Sequence, residues 1–279
     1  GYGWRAGFVW VAALSFAYFV AYWRLYRDPS AHEQLTAAER DYIAARGAVP
    51  ERRDAASPAG TLAYLLGCRK VWGLTIGFAA YGYCFYMFLT WLPSYLVQTM
   101  HMNVLQSAGY AAIPWACATV ADLVVGGWLI DRLIARGHDE TRVRRSVLLV
   151  GMTLGLAGLG ATTTTDPVVA IAYISIALAG LAAAAPVGWS LPSLIAPPGG
   201  VGTVGGIMNF ANNMMGAAAP IVTGYVVGST QAFTNAFVVA GAVLDYINSV
   251  FAHNLAKVTL ARSMGLSAER LAEFLRVAP

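Results

Sequence analysis

The sequence predicts an all-α, polytopic membrane protein with about seven transmembrane helices, and three observations carry that prediction. First, 58% of the 279 residues are hydrophobic and only 11% are charged, whereas a soluble domain carries about a quarter charged residues. Second, seven apolar runs approach or exceed the roughly 20 residues that cross a bilayer. They lie at 6–26, 71–97, 107–130, 146–165, 167–195, 203–227 and 231–252. Hydrocarbon cannot hydrogen-bond a bare backbone, so each run is read as a helix. Third, the basic residues alternate with the spans. If the first span ends inside, 17 of the 18 Lys and Arg fall on the inner side and only Arg5 on the outer. The positive-inside rule sets orientation by that bias. The central loop and the C-terminus are therefore expected to be cytoplasmic, with the chain in the inner (plasma) membrane. The net charge of +4 then reflects topology and implies no nucleic-acid partner.

Each element has its own signal. Residues 1–27 hold the first span. Its opening, "GYGWRAG", has neither an initiator methionine nor a signal-peptide pattern, so a portion of a longer chain is expected. Residues 28–70 form a central cytoplasmic loop. Within it Thr36 stands three residues before Glu39, a capping box that starts a short helix expected to stop at Gly47. "TLAYLLGCRK" follows, with apolar residues suited to the membrane surface. Residues 71–253 carry six spans joined by short loops such as "TTTTDP" and "VGSTQ", which force antiparallel neighbours and one bundle.

The last span is the weakest. Asn235, Asp245, Asn248 and His253 interrupt it, and an acid facing lipid costs around 3 kcal/mol. Either Asp245 faces the bundle or the helix is marginal. In the tail, 254–279, Leu266, Leu271 and Leu275 read as a surface helix. Cys68, Cys84 and Cys117 have no metal or redox spacing and read as small buried hydrophobes. There is no nucleotide motif, zinc ligand set or catalytic triad. The expectation is therefore a protein that is not an enzyme and uses neither cofactor nor metal.

Polar residues inside spans are costly and mark candidate sites. Asn209 and Asn213, with Asn212 beside them, share a face of the sixth span with Gly216 and Pro220. An amide offers both donor and acceptor to a hydroxyl or carboxylate; interhelical glue is the alternative. In "APVGWSLPS", Pro186 and Pro192 free backbone carbonyls and Gly188 permits a bend, so Trp189 and Ser190 are expected beside broken helix. The second span offers Tyr81, Tyr83, Tyr86, Thr90 and Trp91.

Asp122 is a candidate ion relay or a structural hydrogen-bonding group. In straight α-helix the nine residues to Asp131 turn about 900°, placing the two acids on opposite faces. The stretch "GGWLIDRLIARG", residues 126–137, ends the third span. Gly126 and Gly127 admit a close helix neighbour. Asp131 sits at a helix C-terminus, where the dipole disfavours an acid. It needs a positive partner: Arg132, Arg136, or the N-terminus of a neighbouring helix.

That stretch resembles the G-x-L-x-D-R-x-x-x-R signature of the major facilitator superfamily, through Gly127, Leu129, Asp131, Arg132 and Arg136. "YGYCFYMFLTWLPSYL" (81–96) resembles the seventh helix of its anion:cation symporter branch. "GGIMNFANNMMGAAAPIVTGYVV" (205–227) resembles the eleventh helix, and "GWR" and "LYRDP" resemble the edges of the sixth. The resemblance covers roughly residues 1 to 240. It implies the last helix of the N-terminal bundle, the linker and the six-helix C-terminal bundle of a facilitator fold, with the first five helices missing. It further implies Gly127, Asp131, Arg132 and Arg136 as one side of a cytoplasmic gate. Tyr81, Trp189, Ser190, Asn209 and Asn213 are implied as substrate-binding residues.

The implied function is proton-coupled symport of a small organic anion, such as a sugar acid, by alternating access. The implied partners are the anion, protons, the bilayer and the missing N-terminal half, which in the family supplies the anion-binding arginine and proton-coupling acids. The alternatives are a facilitator of a neutral solute and, from another class, a seven-helix receptor or sensor. A membrane-embedded hydrolase fits less well, because no serine–base pair or metal cluster is visible.

Overall fold

The computed structural model describes residues 4–27, 35–45, 62–196 and 200–263, and every regular element among them is helical. The chain forms two units, Gly1–Ala55 and Ala56–Pro279.

In the first unit, α1 (Trp4–Leu25) is apolar all round, with Trp10, Leu14 and Trp23 exposed. Such a surface suits hydrocarbon. Arg27 ends the helix by donating from Nη1 to the carbonyls of Tyr26 and Trp23. The short α2 (Ala37–Ala45) begins at the expected capping box: Glu39 Oε2 accepts from Thr36 N at 2.9 Å, and Thr36 Oγ1 accepts from Glu39 N at 3.3 Å. The expected stop at Gly47 lies outside the described residues.

The second unit holds the bundle. A one-turn α3 (Leu62–Leu66) buries Leu65 and leaves Leu62 and Tyr64 exposed. Then come α4 (Arg69–Gln98), α5 (Val104–Ala121), a π-helical segment (Asp122–Leu129) and α6 (Ile130–Ala135). The remainder is α7 (Glu140–Gly155), a 3-10 segment (Leu156–Thr163), α8 (Pro167–Ile195), α9 (Val201–Thr230) and α10 (Phe233–Ser263). Caps explain several starts. Asn103 and Gln106 form a reciprocal capping box at α5. Asp139 accepts from Arg142 N, and Asp166, just before Pro167, accepts from Val168 N.

Five helical runs are long and apolar enough to cross a bilayer: α1, α4, residues 104–135, residues 140–163 and α8. The 30-residue α9 is diluted by its three asparagines. The apolar part of α10 is shorter, Phe233–Ile247. The chain is thus a multi-pass helical membrane protein, as its apolar runs predict.

Packing fixes the direction of each helix. Gly82 meets Asn212, Gly216 meets Tyr86 and Gly224 meets Trp91, so α4 and α9 advance together. Gly151 meets Gly180 and Ala184, while Gly158 meets Ala177, so α7 and α8 run oppositely. Cys84 Sγ approaches Ala240 O at 3.4 Å, and Phe88 meets Phe237 and Tyr95 meets Phe233 edge-on, so α10 returns against α4. The core lies around Cys84, Leu92, Leu96, Ile174, Leu178 and Leu181. Tyr95 donates from its hydroxyl to Ala161 O at 2.9 Å and pins the end of the 3-10 segment.

Several expectations need correction. The helix through Pro186 and Pro192 is unbroken over Pro167–Ile195. Packing on α4 and α7 holds it straight enough to continue. Asp245 is exposed, whereas Phe237, Ala240, Leu244 and Ile247 face the bundle; the acid therefore points away from the core of this unit. Cys84 is buried as expected, but Cys117 is exposed. Residues 264–279, and with them Leu266, Leu271 and Leu275, lie outside the described residues, as do the side chains of Asn248 and His253.

Candidate functional site

A row of rings lies on α4 at helical spacing: Phe78, Tyr81 and Phe85. Trp189 of α8 meets Phe78 edge-on at 5.0 Å between centroids. Phe78 stacks on Tyr81 at 5.2 Å, and Tyr81 on Phe85 at 5.8 Å. Phe85 meets Trp115 of α5 at 5.3 Å and Tyr86 at 5.7 Å. Such edge-to-face and offset pairs each add about 1 kcal/mol beyond area burial, so one continuous aromatic strip ties α8, α4 and α5 together. Trp189 is 49% exposed. Tyr81 and Phe85 are half-buried.

The strip ends in a polar cluster. Tyr86 donates from its hydroxyl to Asn213 Oδ1 at 3.4 Å. Asn213 Nδ2 donates to Asn209 O at 2.8 Å and to Asn209 Oδ1 at 3.0 Å. Gly216 makes room for the Tyr86 ring, since a Cβ there would come within 2.9 Å of it. Asn209 and Asn213 are exposed on the bundle surface, and they sit in the middle of α9. Asn209 Nδ2 has no partner among the described residues, so the cluster still offers a donor and free lone pairs.

Asn212 differs from its neighbours. It is 8% exposed, is wedged against the backbone notch of Gly82, and its Oδ1 has no partner among the described residues. It joins α4 to α9 and does not present its amide beside Asn209 and Asn213.

The structure thus brings Asn209 and Asn213 together and adds Tyr86, where Tyr81 was the preferred tyrosine. Tyr81 lies one turn away, in the ring row and within electrostatic reach of Asp122. Tyr83, 5% exposed, is turned into the core. Trp91 donates from Nε1 to Pro220 O at 3.3 Å and is structural. Ser190 donates from Oγ to Val187 O at 2.8 Å, one turn back on its own helix, so its proton is not free for a ligand. The ring spacing 78–81–85 was the readable signal for Phe78 and Phe85. Trp115, on another helix, had none. A small cavity of about 40 Å³ behind the strip, bounded by Leu74, Phe78, Tyr81 and Gly188, has apolar walls and no chemistry to offer.

The opening motif takes an unexpected shape. Asp122–Leu129 is a π-helix. Inward positions recur as 121–122, 125–126, 129–130 and 133–134, a four-residue period where an α-helix has 3.6. The wider turn of i→i+5 bonding accounts for this lag. Nine residues at that period place Asp122 and Asp131 about a quarter turn apart, not the half turn expected of straight α-helix. Asp122 is half-buried and Asp131 exposed.

Gly126, rather than Gly127, makes the close contact within this unit: a Cβ there would strike the Pro186 ring at 2.6 Å. Gly127 faces open space. Arg132 lies over the Trp128 ring at 5.1 Å, and Arg136 caps α6. Neither pairs with Asp131, which has no ion-pair partner among the described residues. The intrahelical partner anticipated for Asp131 is therefore not there, because Arg132 is turned onto the indole.

No Lys or Arg occurs between Lys70 and Arg132 or between Arg145 and Lys257. The polar cluster of Tyr86, Asn209 and Asn213 is itself neutral. It suits hydroxyls and neutral oxygens, and aromatic faces flank it.

Comparisons with known proteins identify the family and the fold. The family described as the Major Facilitator Superfamily matches residues 1–245. The "Uncharacterized transporter YybO" of Bacillus subtilis is 39% identical over 244 residues, 87% of this chain and 56% of that protein. The "Probable sulfoacetate transporter SauU" of Cupriavidus necator is 33% identical over 87% of this chain and 55% of that protein. The "Probable L-galactonate transporter" of Escherichia coli is 31% identical over 86% and 52%. The solved structure of the Escherichia coli fucose:proton symporter FucP superposes with a TM-score of 0.56 at 19% identity, over 73% of this chain and 47% of that one. The chain spans about half the length of the curated relatives it matches.

Proposed function

The chain belongs to the Major Facilitator Superfamily, and from that premise we propose that it is the C-terminal part of a proton-coupled symporter for a small organic anion. In this reading α1 is the last helix of one bundle, and α4 to α10 form the second. The observation that carries the binding role is the Tyr86–Asn213–Asn209 network, exposed on the bundle surface and flanked by rings. Transporters hold their substrates near the midplane, at the interface between repeats. Polar amides left open there are costly unless something polar occupies the space. The relatives named for sulfoacetate and L-galactonate support a carboxylate- or sulfonate-bearing substrate. This chain would hold its hydroxylated or neutral end at Asn209, Asn213 and Tyr86, with Trp189 and Tyr81 along the aromatic wall.

Uptake by proteoliposomes of the complete carrier containing this chain tests the reading. Labelled galactonate or sulfoacetate should accumulate under an inward proton gradient, and neutral fucose should not. The reverse preference would favour the second reading, a facilitator of a neutral solute, which draws support from the absence of Lys and Arg inside these spans. Membership of a transporter family removes the receptor alternative.

Orientation belongs to the same reading. The basic flanks support a cytoplasmic central loop, α6–α7 turn and C-terminus. There Asp131, exposed and unpaired, would meet a helix N-terminus of the other half when the cytoplasmic side closes, with Gly127 leaving the approach clear. Asp131→Asn in the complete carrier should cut turnover at least tenfold, the effect of about 1.4 kcal/mol on a barrier, while surface expression stays near parental. Normal uptake by that variant would remove the gate.

Asp122 is the candidate proton site of this half, and Tyr81 is the titratable group that faces it. Asp122→Asn should flatten the pH dependence of uptake. An unchanged profile leaves the residue a structural role.

A further inference from the structure

On another side of the bundle, α8 carries three small residues, Ala179, Gly180 and Ala183. The π segment and α7 both pack on α8 and leave a trough between them. Val125 and Leu129 form one wall, Val147, Val150 and Leu154 the other, and the volume is about 380 Å³. Val150 and Leu154 stand exposed, so the trough lies open along its length. Past one end the two walls join through the α6–α7 turn, where Gly137 takes φ +89°.

Both walls run into arginines at that end. Arg142 precedes Ser146 and Val150 at four-residue spacing on α7, and Arg132 and Arg136 follow Leu129 on α6. All three are exposed, and none is ion-paired among the described residues. Glu140 is taken by Arg144 at 2.7 Å, and Asp139 accepts from Arg142 N as the cap of α7. Asp131 is the remaining acid nearby.

We propose that this trough binds an acyl chain of an anionic phospholipid, with the phosphate of its headgroup against Arg136 and Arg142. In a bilayer an apolar trough is filled by hydrocarbon, because an empty one forfeits dispersion contacts along both walls. An ordinary lipid-facing groove would stop there. This one ends in guanidinium groups that form no ion pair among the described residues, and guanidinium matches phosphate oxygens bidentately. Basic pockets between transmembrane helices at the membrane surface are the pattern expected for anionic headgroups. A zwitterionic lipid offers the same chain and a phosphate, but its ammonium opposes the arginines and cancels the headgroup's net charge, so it gains less from them.

The inference does not depend on the substrate. It is tested on the purified chain in detergent by native mass spectrometry, titrating dioleoyl phosphatidylglycerol or dioleoyl phosphatidylethanolamine. Phosphatidylglycerol should be retained at lower concentration. Arg142→Gln should weaken its retention about fivefold and affect phosphatidylethanolamine clearly less. Val150→Trp, which fills the trough from its exposed wall, should weaken both. Adding Arg142→Gln to Val150→Trp should cost less than it does alone, because charge and trough serve one site. Inorganic phosphate should not displace the lipid. Equal retention of the two lipids, an Arg142→Gln variant with parental retention, displacement by inorganic phosphate, or a disulfide-linked dimer formed by Val150→Cys would overturn the proposal.

Discussion

Gly151→Val is expected to prevent α7 from seating on α8 and to cost about 3 kcal/mol, the upper end for overpacking a tight site. A Cβ at Gly151 would lie 2.5 Å from the carbonyl oxygen of Gly180 and 3.0 Å from Ala184 Cβ. The obstacle is backbone, which cannot rotate away as a side chain would. From the other side, a Cβ at Gly180 would meet Leu154 Cβ at 2.5 Å, so neither helix has a way to yield. Without a hydrophobic force between helices in lipid, association rests on this close fit. The check is the unfolding midpoint of the purified chain in detergent, alongside Gly109→Val, whose Cβ meets nothing within 4 Å. Gly151→Val should fall well below both the parent and Gly109→Val. A midpoint equal to that of Gly109→Val would show that the crossing is looser than described.

Asn213→Leu carries the second large effect, on transport by the complete carrier. Asn213 links Tyr86 to Asn209, so under the proposed binding role its loss removes one ligand for substrate and releases two others. A site built to hydrogen-bond a substrate and then deprived of its partners loses about 1–3 kcal/mol for each buried polar group left unpaired. The expected fall in kcat/KM is about ten- to a hundredfold. Asn213 is exposed in this chain, so membrane expression should hold. Ser190→Ala is the contrast. Its hydroxyl already donates within its own helix, and uptake should stay within about twofold of the parent. If Asn213→Leu transports as well as Ser190→Ala, the α9 cluster is interhelical glue and the binding site lies elsewhere.

The sequence was most legible where one helix suffices to make the argument. Thr36 and Glu39 form their capping box because both partners lie within one turn. Asn209 and Asn213 share a face because four residues are close to one turn. The apolar runs became helices because lipid leaves the backbone no other partner. Where reading failed, a second helix made the decision. Tyr86 displaced Tyr81 at the amides because Gly216 opens a space on α9 that only packing reveals. Asn212 and Asn213 are chemically identical neighbours, yet one is wedged at Gly82 and the other is open, because a 100° step turns them to different faces.

Composition and spacing determined by themselves that this is a many-helix membrane protein, and which polar residues stand out of place in its apolar runs. Those properties follow from the solvent and from local helix geometry, both of which act on a single segment at a time. Tertiary structure alone decided that Asp122–Leu129 winds as a π-helix against α8, turning Asp131 to within about a quarter turn of Asp122. It also decided that Arg132 lies on Trp128 rather than beside Asp131, and that Pro186 fits Gly126 without breaking α8. The physical reason is that each of these is a choice among local conformations of similar energy. Only the neighbouring helix, by filling or leaving a space, makes one of them lower.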